Sequence, residues 1–153
     1  MSAFVNQLDE RFMKQAIALA DEAAKEGEVP VGALIVREGK VIATGKNRRE
    51  GLGNALAHAE IEAISAACKA LGGWRLTGCT LYVTLEPCPM CAGAIVNARI
   101  DRVVYGAADM KAGSAGSLFN LFELPYNHKP LLNSAVLEKE CSAQLEDFFK
   151  ALR

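Results

Sequence analysis

This 153-residue sequence has no apolar run approaching the roughly 20 residues that a membrane-spanning helix needs, so no membrane partner is expected. Net charge is nearly absent too: 17 Lys and Arg stand against 18 Asp and Glu, leaving −1 at pH 7. That balance excludes a global electrostatic pull toward nucleic acid, and any such grip must be local. No internal repeat and no low-complexity tract is present, which excludes a solenoid or a linker-dominated chain. The amino terminus, MSAFVNQLDERF, has acidic residues where a secretion signal needs a basic start and an unbroken apolar stretch, so a cytoplasmic location is expected. Five cysteines are an odd number in a chain too large to need covalent staples. Reduced thiols are therefore expected, and metal binding gains weight over a disulfide framework.

What is present is a chain 51% hydrophobic and 23% charged, the balance of a compact fold with one sizeable core. A single domain over 1–153 is expected. Leu8, Phe12, Ala16, Leu19 and Ala23 recur every three or four residues, predicting a helix over 6–26 that ends at Gly27. VGALIV (31–36) and KVIATG (40–45) flank the turn-forming Glu38-Gly39 and predict a hairpin, its first strand central and covered on both faces. The Ala-, Glu- and Ile-rich stretch 58–71 predicts a helix stopped by Gly72-Gly73. CTLYVT (79–84), PMCAGAIVNA (89–98) and DRVVYG (101–106) read as strand, helix and strand, a parallel crossover unit. A Pro- and Asn-rich loop (124–133), a weak strand near 135–137 and a final helix follow, with Cys141, Leu145, Phe148 and Leu152 on one face. The sum is an α/β protein, a three-layer α/β/α domain with a mixed central sheet.

The chemistry concentrates in two short stretches. TLEPCPMCAG (84–93) places Cys88 and Cys91 three apart at a predicted helix start. Alone, that spacing suits a redox pair, half of a zinc site, or two buried small residues. AHAEIEA (57–63) adds His58, with Glu60 two residues later, at another predicted helix start. His58 can supply a third zinc ligand, and three ligands leave one position open for water, the catalytic arrangement rather than the structural one. The two stretches together reproduce the zinc-deaminase signature HxE followed by PCxxC. Cys68, Cys79 and Cys141 have no spacing partner and read as small buried hydrophobes. The Gly72-Gly73-Trp74-Arg75 link is expected to pack under the sheet edge.

Through these motifs the chain resembles the zinc-dependent cytidine deaminase superfamily, and within it most closely the bacterial tRNA-specific adenosine deaminases. The resemblance runs from about Phe12 to Leu152 and includes EVPVGA (28–33), GKNR (45–48), TLYVTLEPCPMCAGA (80–94), RVVYGA (102–107) and KAGSAGS (111–117). A histidine first ligand is unlike the free cytidine deaminases, which use three cysteines. The resemblance implies one Zn²⁺ per subunit held by His58, Cys88 and Cys91, with hydrolytic attack at adenine C6. Glu60 would shuttle the proton to the ring nitrogen and then to the departing ammonia. It further implies that Asn47 hydrogen-bonds the purine, that Val29, Pro30 and Ala59 wall the base pocket, and that the backbone near Leu85 and Glu86 meets the leaving amine. Asp109 would meet the sugar-phosphate of a flipped nucleotide, and the enzyme would act as a homodimer.

An RNA substrate demands local positive charge and aromatics that support splayed bases. Lys46, Arg48 and Arg49 form one basic cluster, and Lys111, His128, Lys129, Phe149, Lys150 and Arg153 can form an opposite bank; of Phe148 and Phe149, both at core spacing, the resemblance implies that Phe149 faces the substrate. The expected reaction is conversion of adenosine to inosine at the wobble position of a tRNA anticodon stem-loop, such as that of an arginine tRNA. Two alternatives stand beside it. One is a small-molecule deaminase acting on guanine, cytosine or a dCMP-like compound; the other is a zinc-stabilised interaction module, which would have no use for Glu60.

Overall fold

A computed structural model describes residues 3–152, with side chains from Gln7 onward; Arg153 of the expected basic bank lies outside the described residues. Five strands, β1 (Gly32–Arg37), β2 (Lys40–Lys46), β3 (Cys79–Leu85), β4 (Arg102–Ala107) and β5 (Leu131–Asn133), form one sheet in the order β2-β1-β3-β4-β5. The hairpin strands β1 and β2 pair antiparallel, with Glu38 and Gly39 at the turn, both at positive φ. β1 also pairs antiparallel with β3, and β3 runs parallel to β4. The central strands are apolar on both faces, as strands covered by helices must be. Alternation sorts them: Ala33, Ile35, Leu81, Val83, Val103 and Tyr105 enter one core, while Leu34, Val36, Tyr82 and Val104 enter the other.

The second core is closed by α1 (Ala3–Lys25), through Phe12, Met13 and Ala16, and by Cys141 of α5 (Glu138–Ala151). The first is closed by α3 (Ala59–Leu71), through Ala59, Ala63 and Ala67, and by α4 (Pro89–Asn97), through Ala92 and Ile95. Small residues let α3 lie close on the sheet. At Gly45 of β2, a Cβ would fall on the Ala59 carbonyl and 2.6 Å from the Ala63 nitrogen. The resulting three layers match the sequence expectation, and both helices that carry the chemical motifs lie on the same face.

Some details differ from expectation. The last strand, β5, is Leu131–Asn133, inside the stretch read as loop, and it pairs parallel with β4 from Arg102↔Leu131 to Val104↔Asn133. The predicted 135–137 strand does not form, because Ala135 and Leu137 adopt φ of 63° and 53°, and this left-handed turn leads directly into α5. A four-residue helix, α2 (Arg49–Leu52), and a 3-10 turn (Leu121–Glu123) carry too little periodicity to be predicted. Trp74 is not packed under the sheet edge: it is half exposed, with the Arg75 guanidinium 4.3 Å and that of Arg99 5.5 Å from its ring.

A buried polar clip was also not foreseen. Asp9 of α1 accepts a hydrogen bond from the Tyr82 hydroxyl (2.7 Å) and two from the Arg102 guanidinium (3.0 and 2.6 Å), while Arg102 Nε donates to Asn133 Oδ1. Joining α1, β3, β4 and β5, it satisfies a carboxylate that burial would otherwise destabilise.

Candidate active site

Two helix starts meet at the chemistry. His58 is the N-cap residue of α3, with extended φ/ψ of −78° and 153°, and Cys88 is the N-cap residue of α4, followed by Pro89 at the first helical position. Proline suits that place because its φ is preset and its missing N–H would be unpaired there in any case. One turn into α4, Cys91 lies fully buried. The His58 Nδ1 atom is 3.6 Å from Cys88 Sγ and 3.5 Å from Cys91 Sγ, and the three ligand atoms all lie within 4.8 Å of one another. For a tetrahedral zinc ion with its usual Zn–N and Zn–S bond lengths, nitrogen and sulfur ligands stand about 3.6 Å apart. The His-Cys-Cys cluster therefore fits a zinc site in both donor chemistry and spacing.

Electrostatics agree with a place prepared for a cation. The Cys88 thiol is pulled down to about 4, first by the hydrogen bond from Cys91 and further by His58. Cys91 is pushed up, first by the same bond to Cys88 and then by burial. His58 is raised, chiefly by its hydrogen bond to Cys88. A metal ion replaces these protons. Glu60, in the first turn of α3 and 4% exposed, is raised to about 7, mainly by burial. That value suits a group that must both take and return a proton near neutral pH.

A cleft of ≈ 480 Å³ opens over this cluster. Of the residues expected at the site, Val29, Asn47, His58, Ala59, Glu60, Leu85, Glu86, Cys88, Asp109 and Phe149 line it, and Cys91 lies buried at the ligand cluster. Two expected residues do not line it. Pro30 is buried between Val29 and Val31, and Val31 takes the wall position instead, because alternate residues of an extended segment face the same way. His128 sits at the far end of β4, where its Nε2 lies 2.6 Å from the Ile100 carbonyl oxygen, and it does not reach this chain's cleft.

Asn47 lines the cleft from a turn that its own side chain holds. It is buried at the cleft, and its amide shapes the turn by donating to the Val29 carbonyl (3.2 Å) and accepting from the Arg49 N–H (3.4 Å). Asp109 uses one carboxylate oxygen within its own loop, accepting from the amides of Lys111 (2.9 Å) and Ala112 (3.1 Å). The basic cluster divides. Lys46 pairs with Glu26 (2.6 Å) and Glu22 (3.5 Å), Arg48 pairs with Glu62 (3.0 Å), and only Arg49 of the three lines the cleft. From the opposite bank, Lys111 and Phe149 line it, joined by Met110 and Leu145, which sequence reading missed for want of any motif. Two further clefts, of ≈ 590 and ≈ 470 Å³, share Phe149 as a wall. A larger groove of ≈ 640 Å³ beside α4, lined by Leu56, Met90, Leu121 and Tyr126, holds no group suited to this chemistry.

Comparison with known proteins places these features in a family. A family model described as MafB19-like deaminase matches residues 7–153. The tRNA-specific adenosine deaminase of Bacillus subtilis strain 168 is 53% identical over 146 residues, covering 95% of this chain and 91% of that protein. A solved structure from work on A-to-I editing by tRNA:A34 deaminases at the wobble position of transfer RNA superimposes with a TM-score of 0.84 at 46% identity, over 88% of this chain and 99% of that one. A guanine deaminase from Bacillus subtilis gives a TM-score of 0.64 at 40% identity, over 80% and 82% of the two chains. The chain belongs to the MafB19-like deaminases and, within them, to the family of tRNA-specific adenosine deaminases.

Proposed function

We propose that this protein deaminates adenosine to inosine at the wobble position of a tRNA anticodon loop, with His58, Cys88 and Cys91 holding one zinc ion per chain and Glu60 carrying the proton. The observation that carries the proposal is the joint geometry: three ligand atoms spaced for zinc, beside a buried carboxyl whose pKa lies near 7. His58, Cys88 and Cys91 would hold a zinc ion, which when bound would supply Lewis-acid activation of water. Glu60 accepts the first proton that water loses and delivers it to the ring nitrogen, then carries the proton of the new C6 hydroxyl to the departing amine, so that water and adenosine yield inosine and ammonia. The first-turn N–H groups of α3 and α4 favour the thiolates and the developing negative charge. Val29, Ala59 and Asn47 hold the base, and the backbone at Leu85 and Glu86 borders the leaving amine. Asp109 and Phe149 stand where the rest of the nucleotide leaves the pocket. Pro30 and His128 have no part in this chain's cleft.

The guanine deaminase likeness favours a second reading, a free nucleobase as substrate. Against it stand the two additional clefts that meet the first at Phe149, which suit flanking nucleotides of a polymer. We further assign the protein to the cytoplasm as a single catalytic domain; no described helix is long and apolar enough to cross a membrane. We also assign it to a homodimer. Leu56 and Tyr126, 57% and 53% exposed, border the large apolar groove beside α4, a face suited to a second copy.

The test is mass spectrometry of inosine after incubation with an arginine tRNA anticodon stem-loop bearing adenosine at the wobble position, run beside free adenosine, guanine, cytosine and dCMP. Conversion of the stem-loop alone, lost in Glu60→Gln, is expected. Turnover of a free compound with the stem-loop untouched would overturn the substrate and keep the chemistry.

A further inference from the structure

Glu86 is 2% exposed, and its carboxylate is wrapped by a single loop. One oxygen accepts from the amide of Asp109 (3.0 Å) and from the Ser117 hydroxyl; the other accepts from the amides of Ala115 and Ser117, each at 3.0 Å. A buried carboxylate is tolerated where hydrogen bonds replace its lost water, and bonds to the charged form are the strong ones. The loop is built to close on it. A Cβ at Gly113 would overlap the Glu86 carboxylate, so only glycine lets the chain pass. Backbone bonds bracket the clamp: the Ser114 amide donates to the Pro87 carbonyl (2.9 Å), and the Glu86 amide to the Ala107 carbonyl (2.8 Å).

What the loop carries gives the clamp its consequence. Asp109, Met110, Lys111 and Ala112 line one wall of the cleft, whereas Cys88, two residues after Glu86, belongs to the ligand cluster in its floor. One buried side chain thus ties the substrate-facing wall to the segment that presents a metal ligand. We propose that Glu86 is a positioning residue, whose carboxylate holds loop 109–117 in register with the Cys88 turn and so sets the wall against which RNA is bound. This rests on the tRNA deaminase reading above and adds a role for a side chain that need not touch the reacting atoms.

Glutamine is nearly isosteric, but its N–H₂ must face either the Asp109 amide or the Ala115 and Ser117 amides; the Ser117 hydroxyl can turn to accept, the amides cannot, so in either orientation donor faces donor and the loop opens. In Glu86→Gln, hydrogen exchange of the 109–117 amides is expected to quicken and KM for the anticodon stem-loop to rise at least about ten-fold, a larger factor than any fall in kcat, with zinc content at one per chain. Glu86→Asp, which keeps the charge, should recover part of the KM. A merely structural role would lower thermal stability without that split between KM and kcat. Should Glu86→Gln fail to fold, Ser117→Ala removes one hydroxyl bond from the clamp and should shift KM and exchange the same way by a smaller factor. Unchanged KM in the folded variants would overturn the proposal, as would a fall in kcat that tracks zinc loss. If the wild-type protein leaves the stem-loop adenosine unconverted, the substrate reading fails and this role in RNA binding falls with it; loop exchange then reports separately whether the clamp exists.

Discussion

Burial raises the Glu60 carboxyl from an ordinary 4.5 to about 7 in the metal-free protein, and this shift has a thermodynamic consequence apart from catalysis. The unfolded chain releases the proton near pH 4.5, while the folded chain keeps it until about pH 7. Stability is therefore full below 4.5 and is lost as pH rises through 7, by an amount of order 3 kcal/mol. Glu60→Gln stays neutral and escapes that loss. In zinc-chelated protein, urea denaturation should show the variant gaining on wild type between pH 4.5 and 7 and holding a constant lead above; a lead independent of pH would contradict the burial account. With zinc bound, the same substitution should lower kcat by roughly 10²- to 10⁴-fold and leave the zinc content unchanged. His58, Glu60, Cys88 and Cys91 were legible because spacing along a helix start is a local property. Burial is not, and neither the Glu86 clamp nor the pairing of Lys46 with Glu22 and Glu26 and of Arg48 with Glu62 left a mark in the sequence.

At the level of elements, the site depends on how closely α3 lies on β2. Gly45→Ala puts a methyl group on the Ala59 carbonyl, pushing away the turn that holds His58. Overpacking of this kind costs about 1–3 kcal/mol, and here it should also weaken zinc retention, read by denaturation and metal analysis together. The Asp9–Arg102–Tyr82 clip gives a contrasting case at the other core. Arg102→Met leaves Asp9 buried without its cation, an expected loss of about 3–5 kcal/mol in denaturant unfolding, with zinc content and KM unchanged. Most elements followed from periodicity, but β5 did not. Three residues give no alternation to read, and Leu131 is exposed at the sheet edge, so only its pairing with β4 makes it a strand.

For the whole molecule, the large groove beside α4 predicts a dimer that a charge would split. Leu56→Glu combined with Tyr126→Glu should shift the mass in light scattering from two chains to one, while Cys88 and Cys91 keep their metal; a persisting dimer would place the interface elsewhere. Local order along the chain was enough to determine the longer helices, the hairpin, the crossover unit and the two short motifs around His58 and Cys88, since each is read from residues close together in the chain; their meeting in one cluster was not local. Tertiary structure alone decided that Val31 rather than Pro30 walls the cleft and that His128 lies at the other end of β4. It also decided that Arg49 is the member of its basic trio that lines the cleft, and that the Glu86 carboxylate accepts hydrogen bonds from a loop some 30 residues away. These outcomes turn on which distant segments meet and which charges find partners there, and no periodicity in the chain encodes either.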